Sequence, residues 1–335
     1  ITDAYGEIGS SFGYVNQQAF LGFESYILEP VANDDANTVY TSNIAAGSFN
    51  QDYYYNSTGY NGKFSVNAAI EYKDKLYLGI NLNSHYINYE RSTFLLEKNS
   101  NIGSLFSEVG FENNLSTIGS GFSFQLGAIA KLSDEIRVGI AYNSPTWYTI
   151  EEETTQYLAT VRNVDGSNIT ETLDPQIINI FPKYKLQTPA KITGSIALVI
   201  DKQAIISFDY SRKDYGSIKF KPESDPLFSV QNNLMSNSLK ASNSYKIGGE
   251  YKLENTSFRA GYKFEESPYN NTSFYGDLTG FSLGIGYNFG NTKVDLAYEN
   301  AKRTIDYQLY DVGLTDTARV NAKYSNITLS ASFNL

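Results

Sequence analysis

Residues 122–142 read FSFQLGAIAKLSDEIRVGIAY, and the pattern of this stretch decides the fold class. Apolar or small side chains occupy every second position from Phe122 to Leu132 and again from Ile136 to Tyr142, with the polar segment 133–135 between them. Period-two alternation on both sides of a short polar segment predicts two antiparallel β-strands joined in a hairpin.

The same hairpin unit recurs along the chain. Four further copies surround polar turns at residues 73–75, 201–203, 254–257 and 290–293, and a last alternating segment runs from Ile327 to Leu335, so eleven strands are predicted. The links between hairpins are long and polar, at residues 91–117, 151–187, 212–243, 265–279 and 300–322. Short turns at one edge and long links at the other are typical of an all-β, transmembrane antiparallel β-barrel, with its turns in the periplasm and its loops outside.

Composition narrows the function classes. The 26 Lys and Arg against 36 Asp and Glu give a net charge of -10, which argues against a nucleic-acid partner. Because the chain has no Cys and a single His, it excludes disulfides, thiolate sites and multi-His metal sites, and we expect no enzyme, no metal and no cofactor. A soluble β-sandwich or propeller is the alternative fold, but it has no reason to keep every long link at one edge.

The alternation also assigns a face to each side chain. A charge that faces lipid near the midplane costs about 2–4 kcal/mol, whereas a hydrated lumen accepts it. We therefore predict that the charged positions Arg137, Lys191, Glu250 and Arg259 face the lumen. Inward glycines are expected to leave empty volume there. The positions predicted to face lipid are Leu78, Phe124, Leu126, Val138, Leu198, Phe208, Ile285 and Leu329.

The first part of the chain lacks this pattern. Residues 1–61 are predicted to form a long extracellular loop region with short helices over 2–10 and 17–28, Thr2 capping the first and Pro30 ending the second. Residues 62–335 are assigned to the barrel. A single-chain barrel has an even number of strands, so eleven leads us to expect that N-terminal barrel sequence is missing. The start at Ile1 rather than Met likewise predicts a mature or trimmed product.

Several blocks resemble the FadL/TodX family of outer-membrane transporters of hydrophobic compounds. NAAIEYKDKLYLG at 67–79 and GSGFSFQLGAIAK at 119–131 resemble its hairpins. RVGIAYNSPTWY at 137–148 is close to the family's strand that ends in a Ser/Thr-Pro-Thr corner, and LQTPAK at 186–191 matches a further block. ITDAY at 1–5 looks like the start of the family's long outer loop. The resemblance covers most of the chain in order.

This resemblance implies a barrel of fourteen strands in a Gram-negative outer membrane, which leaves three N-terminal strands unaccounted for. It also implies a lumenal plug, often with an Asn-Pro-Ala signature that this chain lacks, and a lateral wall opening in an early strand. The family's ligand pocket is built partly from that plug.

The candidate ligand-binding residues are an inward basic set, Lys246, Arg259 and Lys263, with Glu250 nearby. A fatty acid presents one carboxylate and a long apolar tail, so its pocket needs one or two cations and an apolar sleeve. Salt bridges with Glu250, Asp295 and Glu299 explain the same residues equally well. Arg137 and Trp147 complete the candidate set, although Trp147 also suits an aromatic belt or a loop anchor.

Two weaker candidates have simpler explanations. His85 lies among hydroxyls, as an outer-membrane phospholipase would require, but without a nucleophile motif an ordinary rim residue explains it better. The acidic runs 151–153 and 34–35 suit divalent cations that bridge lipopolysaccharide phosphates, although solvated loop charge accounts for them as well.

Two functions from different classes follow. The first is passive uptake of long-chain fatty acids or similar hydrophobic molecules. The second is a FadL-type barrel that acts as an accessory, partner-docking subunit of a secretion or surface-anchoring complex. The expected partners are a fatty acid or detergent-like amphiphile, membrane lipid and lipopolysaccharide, and an outer-membrane protein. A hydrophilic porin is a third option, which the resemblance disfavours.

Overall fold

The computed structural model describes residues 13–34, 37–308 and 316–333, and most of them lie in β-strands. Within these residues there are two α-helices, α1 (Gly13–Glu24) and α2 (Pro226–Ser238). Neither helix is long and apolar enough to cross a membrane. The strands are β1 Leu28–Pro30, β2 Tyr40–Ser42, β3 Asn50–Tyr72, β4 Leu76–Lys98, β5 Phe106–Lys131, β6 Ile136–Asn143, β7 Trp147–Val164, β8 Ser167–Leu173, β9 Asn179–Gln187, β10 Lys191–Ile200, β11 Ala204–Asp214, β12 Lys219–Lys221, β13 Ala241–Leu253, β14 Thr256–Glu265, β15 Leu278–Asn288, β16 Thr292–Gln308 and β17 Thr317–Phe333.

The eleven predicted strands are confirmed. They pair in the order β3-β4-β5-β6-β10-β11-β13-β14-β15-β16-β17. Because each short turn joins two neighbouring antiparallel strands, all five predicted turns lie at one edge of the sheet. Two of these turns hold two consecutive residues at positive φ, Lys73 and Asp74 in one and Asp201 and Lys202 in the other. Such backbone matches the right-handed twist of the flanking strands.

The described residues form two compact units. The first contains residues 13–62, 85–120 and 149–184, and the second contains 63–84, 121–148 and 185 onward. The segment 1–61, predicted as a loop region, already contains the first part of β3, which begins at Asn50. The aromatic run Tyr53-Tyr54-Tyr55 favours a strand, whereas the absence of period-two alternation there predicted a loop.

In the first unit, three expectations on local structure need correction. The link at 91–117 is short, because β4 continues to Lys98 and β5 begins at Phe106. The link at 151–187 is largely strand, namely β7, β8 and β9. The second predicted helix is found as α1, but it ends at Glu24, and Pro30 lies in β1 instead of ending the helix. The helix predicted over 2–10 lies outside the described residues.

The first unit has a core of its own. Its buried apolar side chains are Phe20 and Leu21 of α1, Phe106 of β5, and Ile150 and Leu158 of β7. The amide of Asn179 donates to Gln17 Oε1 at 2.6 Å, which ties β9 to α1. Alternate residues of β7 from Tyr148 to Thr160 are buried, apart from the half-buried Glu152, so this strand packs one face inward although its sequence is polar.

In the second unit the strand register separates two faces. Val138, Ile196, Phe208 and Ile247 are successive register partners on the apolar face. On the polar face, Ser195, Asp209, Lys246 and Lys263 are successive partners in the same way. The register therefore confirms the predicted alternation, with the four predicted lumenal charges on the polar face. Of the eight positions predicted to face lipid, Phe124 and Val138 are half-buried and the other six are exposed.

The predicted Pro corner lies between β6 and β7, at residues 144–146. A second break, at residues 188–190, separates β9 from β10, and the two breaks are hydrogen-bonded to each other. Thr146 N donates to Thr188 Oγ1 at 2.9 Å, and Thr188 N donates to Thr146 O at 3.0 Å. Because Pro cannot donate a ladder hydrogen bond, the Thr side chain replaces part of the missing ladder.

Candidate functional site: the polar face of the second unit

A cluster of charged side chains lies on the polar face of β13–β16. Arg259 Nε donates to Glu250 Oε2 at 2.5 Å, and Arg259 Nη1 donates to Asp295 Oδ1 at 2.6 Å. Lys263 forms an ion pair with Glu299. We call Lys246, Glu250, Arg259, Lys263, Asp295 and Glu299 the charged cluster. The structure thus brings together the basic set and Glu250 that the sequence singled out.

Most of the charged cluster lines one cavity of about 520 Å³. Three cations, Lys246, Arg259 and Lys263, face three carboxylates, Asp209, Glu250 and Glu299, along its wall. Arg259 and Lys263 are both neutralised by ion pairs. In the part of the chain that the structure describes, Lys246 has no ion pair within 4 Å. Lys246 is therefore the cation of this cavity that is available to a ligand.

Glycines give the charged cluster its space. A Cβ at Gly286 would lie 2.1 Å from Asp295 Oδ1, and one at Gly280 would lie 2.9 Å from Lys263 Cε. The neighbouring charged side chains therefore occupy the space beside these two inward glycines. The expectation that inward glycines leave empty volume is therefore wrong at Gly280 and Gly286.

A second region of the polar face, in β3–β6, carries small and apolar side chains instead. We call Ala69, Gly79, Gly127, Ile129, Gly139 and Ala141 the small-residue strip; with Tyr77 and Ser195 they line a cavity of about 370 Å³. A Cβ at Gly79 or Gly127 would meet no atom closer than 3.9 Å. Here the inward glycines do leave open volume, as the sequence predicted.

The other two candidate residues lie elsewhere. Arg137 is on the polar face of β6 but does not line the cavity of the charged cluster. Its Nε is buried without a hydrogen-bond partner among the described residues. Trp147 begins β7, and its ring lies 6.4 Å from that of Phe124, which itself contacts Tyr142. This aromatic group suits a boundary between lipid and water.

The weaker candidates are engaged in local contacts. Glu151 pairs with Lys183 at 2.7 Å, and Glu152 accepts a hydrogen bond from Thr117 at 3.1 Å. Burial, together with the neighbouring charge of Glu152, raises the pKa of Tyr184 above its usual value. His85 lies half-buried within β4. Within the described residues there is no group of three or more His, Asp or Glu side chains placed to hold a metal ion.

An antiparallel sheet with one apolar face, one charged and polar face and all short turns at one edge has the architecture of an outer-membrane β-barrel protein. Residues 16–334 match the model of one family, described as outer membrane protein transport protein (OMPP1/FadL/TodX), and the chain belongs to that family. The family resemblance, the fold class and the location in a Gram-negative outer membrane are thereby confirmed.

Individual relatives are distant. An outer membrane protein of Neisseria meningitidis serogroup B is 24% identical over 202 residues, which cover 53% of this chain and 41% of that relative's length. Among solved structures, the CymD monoaromatic hydrocarbon channel has a TM-score of 0.51 and 18% identity, covering 87% of this chain and 80% of its own. The Ralstonia pickettii toluene transporter TbuX has a TM-score of 0.50 and 15% identity, covering 86% and 79%. At these identities the structures show the fold alone.

Proposed function

We propose that the protein is a passive channel for hydrophobic compounds in the outer membrane, and that its substrates contact the small-residue strip. The observation that carries this proposal is the open, uncharged volume beside Gly79 and Gly127 on an otherwise charged and polar face. Removing apolar surface from water contributes about 25 cal/mol per Å², so a wall of Ala, Gly and Ile favours apolar solutes over water and ions.

Long-chain fatty acids are the substrate class that we propose within this function. Each buried methylene contributes about 0.8 kcal/mol, so the tail supplies most of the affinity. The carboxylate needs a charged partner where it leaves water, and Lys246 is the cation of the charged cluster without an ion pair in the described part of the chain. Neutral aromatic hydrocarbons, which the names of two structural relatives mention, need no such partner.

Filling the strip tests the proposal. In Gly127→Leu the new side chain projects into the open volume, so we expect uptake of labelled palmitate and toluene into proteoliposomes to fall about tenfold. A tenfold loss corresponds to about 1.4 kcal/mol, or about two methylenes that no longer find an apolar contact. Gly194→Leu is the matched control. Gly194 lies on the apolar face and has no atom within 4 Å of its Cβ position, so this variant should transport like the wild type. Equal uptake by both variants would show that substrates do not pass along the strip.

Docking of a protein partner is a second candidate function, because α2 presents an apolar stripe to solvent. Phe228 and Asn232 hold the helix onto Phe220 of β12, by ring stacking at 5.6 Å and by hydrogen bonds of 2.8 and 2.9 Å. On another face, Leu227, Val230 and Leu234 are 76%, 56% and 54% exposed. If wild-type protein transports neither probe, and Leu234→Asp disrupts a complex isolated from outer membranes, docking replaces uptake as the function.

A further inference from the structure

A polar cleft of about 320 Å³ lies in the first unit, apart from any residue of the proposed channel wall. Each of four neighbouring strands, β3, β4, β5 and β7, contributes three consecutive residues: 56–58, 90–92, 114–116 and 153–155. Ile178 adds an apolar side chain to the lining of the cleft. The β3 residues are exposed, whereas Thr154 of β7 is only 8% exposed, so the cleft runs from an open side to a buried wall.

Four side chains share one face within this cleft. The hydroxyls of Tyr55 and Tyr89 lie 2.7 Å apart across β3 and β4, and Gln156 Nε2 donates to Asn113 Oδ1 at 3.0 Å across β7 and β5. Because side chains alternate along a strand, the residues two positions away lie on the same face as these pairs. They are Ser57, Arg91, Leu115 and Thr154.

Two of these side chains lack partners. Among the described residues the side chain of Arg91 makes no hydrogen bond and no ion pair, and its Nε is buried. Thr154 Oγ1 is also buried without a hydrogen-bond partner. Buried polar groups are normally satisfied, and leaving one unpaired is costly. Glu90 and Glu153 are adjacent to these residues in sequence, but alternation turns their side chains to the other face.

The charge of Arg91 acts on the neighbouring tyrosine pair. Hydrogen bonds with Tyr89 and Ser57 lower the pKa of the Tyr55 hydroxyl below its usual value, and the Arg91 charge adds to this effect. A strand needs roughly ten residues to cross a bilayer. Counted along β3 and β4 from the turn at 73–75, Tyr55 and Tyr89 lie beyond this length, so the cleft faces water.

We propose that this cleft binds a small organic acid that carries hydroxyl groups, of the sugar-acid class. The guanidinium of Arg91 pairs with the carboxylate, for which its planar fork of donors is suited. Ser57 and Thr154 offer hydroxyls to the hydroxyl groups of the ligand, and Leu115 and Ile178 contact the apolar side of its ring. A bare inorganic anion would pair with Arg91 but would make no contact with the hydroxyl and apolar groups of the cleft. A neutral sugar would leave Arg91 without an ion pair.

Calorimetric titration of the full chain in detergent tests this assignment with D-glucuronate as the probe. We expect saturable binding of glucuronate, with D-glucose and acetate each at least tenfold weaker. Arg91→Ala should weaken glucuronate by about tenfold to a hundredfold, the range for a charged hydrogen-bonded pair, and Thr154→Val by about fivefold. Lys183→Ala removes an exposed cation of the same unit outside the cleft and should leave the affinity unchanged.

Three results would overturn the proposal: no saturable glucuronate binding, acetate or sulfate equal to glucuronate, or equal affinity in the Arg91→Ala variant that retains the wild-type circular dichroism spectrum. A competition experiment shows whether the natural ligand is a sugar acid of lipopolysaccharide or a free acid. If an acidic oligosaccharide from lipopolysaccharide displaces glucuronate, the sugar acid belongs to the membrane lipid. If glucuronate binds and is not displaced, the cleft takes the free acid.

Discussion

Inward glycines occur in two regions of the second unit, and they serve opposite purposes. In β3–β6, Gly79 and Gly127 face open volume on the small-residue strip. In β13–β16, Gly280 and Gly286 accommodate the side chains of Lys263 and Asp295. The residue type and the face of the strand are the same in both regions. What differs is the neighbouring strand, which supplies small side chains in the first region and long charged ones in the second.

This difference separates transport from stability. A glycine beside other small residues creates space that a solute can occupy, whereas a glycine beside an ion pair makes room for charges that would otherwise be displaced. We therefore expect substitutions in the small-residue strip to lower uptake with little change in unfolding free energy. Substitutions in the charged cluster should lower the unfolding free energy with little change in uptake.

Gly280→Val should give the largest effect on stability. Its Cβ would lie 2.8 Å from the backbone oxygen of Asn300 as well as 2.9 Å from Lys263 Cε, so relief requires movement of backbone and of the Lys263–Glu299 pair. We expect a loss of about 3 kcal/mol, the upper range for overpacking. Urea unfolding from lipid vesicles measures it, with Gly127→Val as the matched variant in open volume. Equal loss in both variants would remove the distinction between the two regions.

Arg259→Ala should cause the next largest loss of stability. It leaves Glu250 and Asp295 without their shared partner at positions that are 27% and 22% exposed. Breaking a fully buried pair costs about 3–5 kcal/mol, so we expect about 2 kcal/mol after allowing for solvent. Lys183→Ala, which removes the pair with Glu151 whose two side chains are 67% and 50% exposed, is the control and should show no measurable change. The triple change Arg259→Ala with Glu250→Gln and Asp295→Asn should recover most of the loss; failure to recover would mean that Arg259 stabilises the wall through packing instead of charge.

The fold could be predicted from sequence where lipid constrains it. Inside the bilayer one face of every strand must be apolar, so the hairpin around 133–135 carries a strict period of two, and its register followed directly. Beyond the bilayer both faces of a strand can meet water or polar neighbours. The polar run 151–160 of β7 therefore carries no apolar alternation, although Ile150 and Leu158 are buried, and it was predicted as a loop.

The candidate site was predictable to a similar extent. Alternation placed Lys246, Glu250, Arg259 and Lys263 on one face, and the register brings them together. Which cation is neutralised depends on the neighbouring strand β16, whose Asp295 and Glu299 reach Arg259 and Lys263. The small-residue strip was missed because Ala and Gly carry no chemistry of their own. The signal that could have revealed it is the absence of charge at inward positions of the first two hairpins, apart from their turn-proximal ends.

Lys246→Ala should have the smallest effect, and it separates the two roles of the charged cluster. Lys246 has no ion pair to lose in the described part of the chain, so we expect little change in unfolding free energy. If its ammonium orients an acid group, affinity for palmitate should fall about fivefold, close to one charge-assisted hydrogen bond in a hydrated site. A neutral ligand of equal tail length, hexadecanol, should bind as before, because its affinity comes from buried methylenes. Fluorescence competition with both ligands measures the difference, and Lys246→Arg should restore palmitate binding. If palmitate and hexadecanol weaken together, Lys246 supports the wall. If neither weakens, the acid group of the substrate is held by another residue.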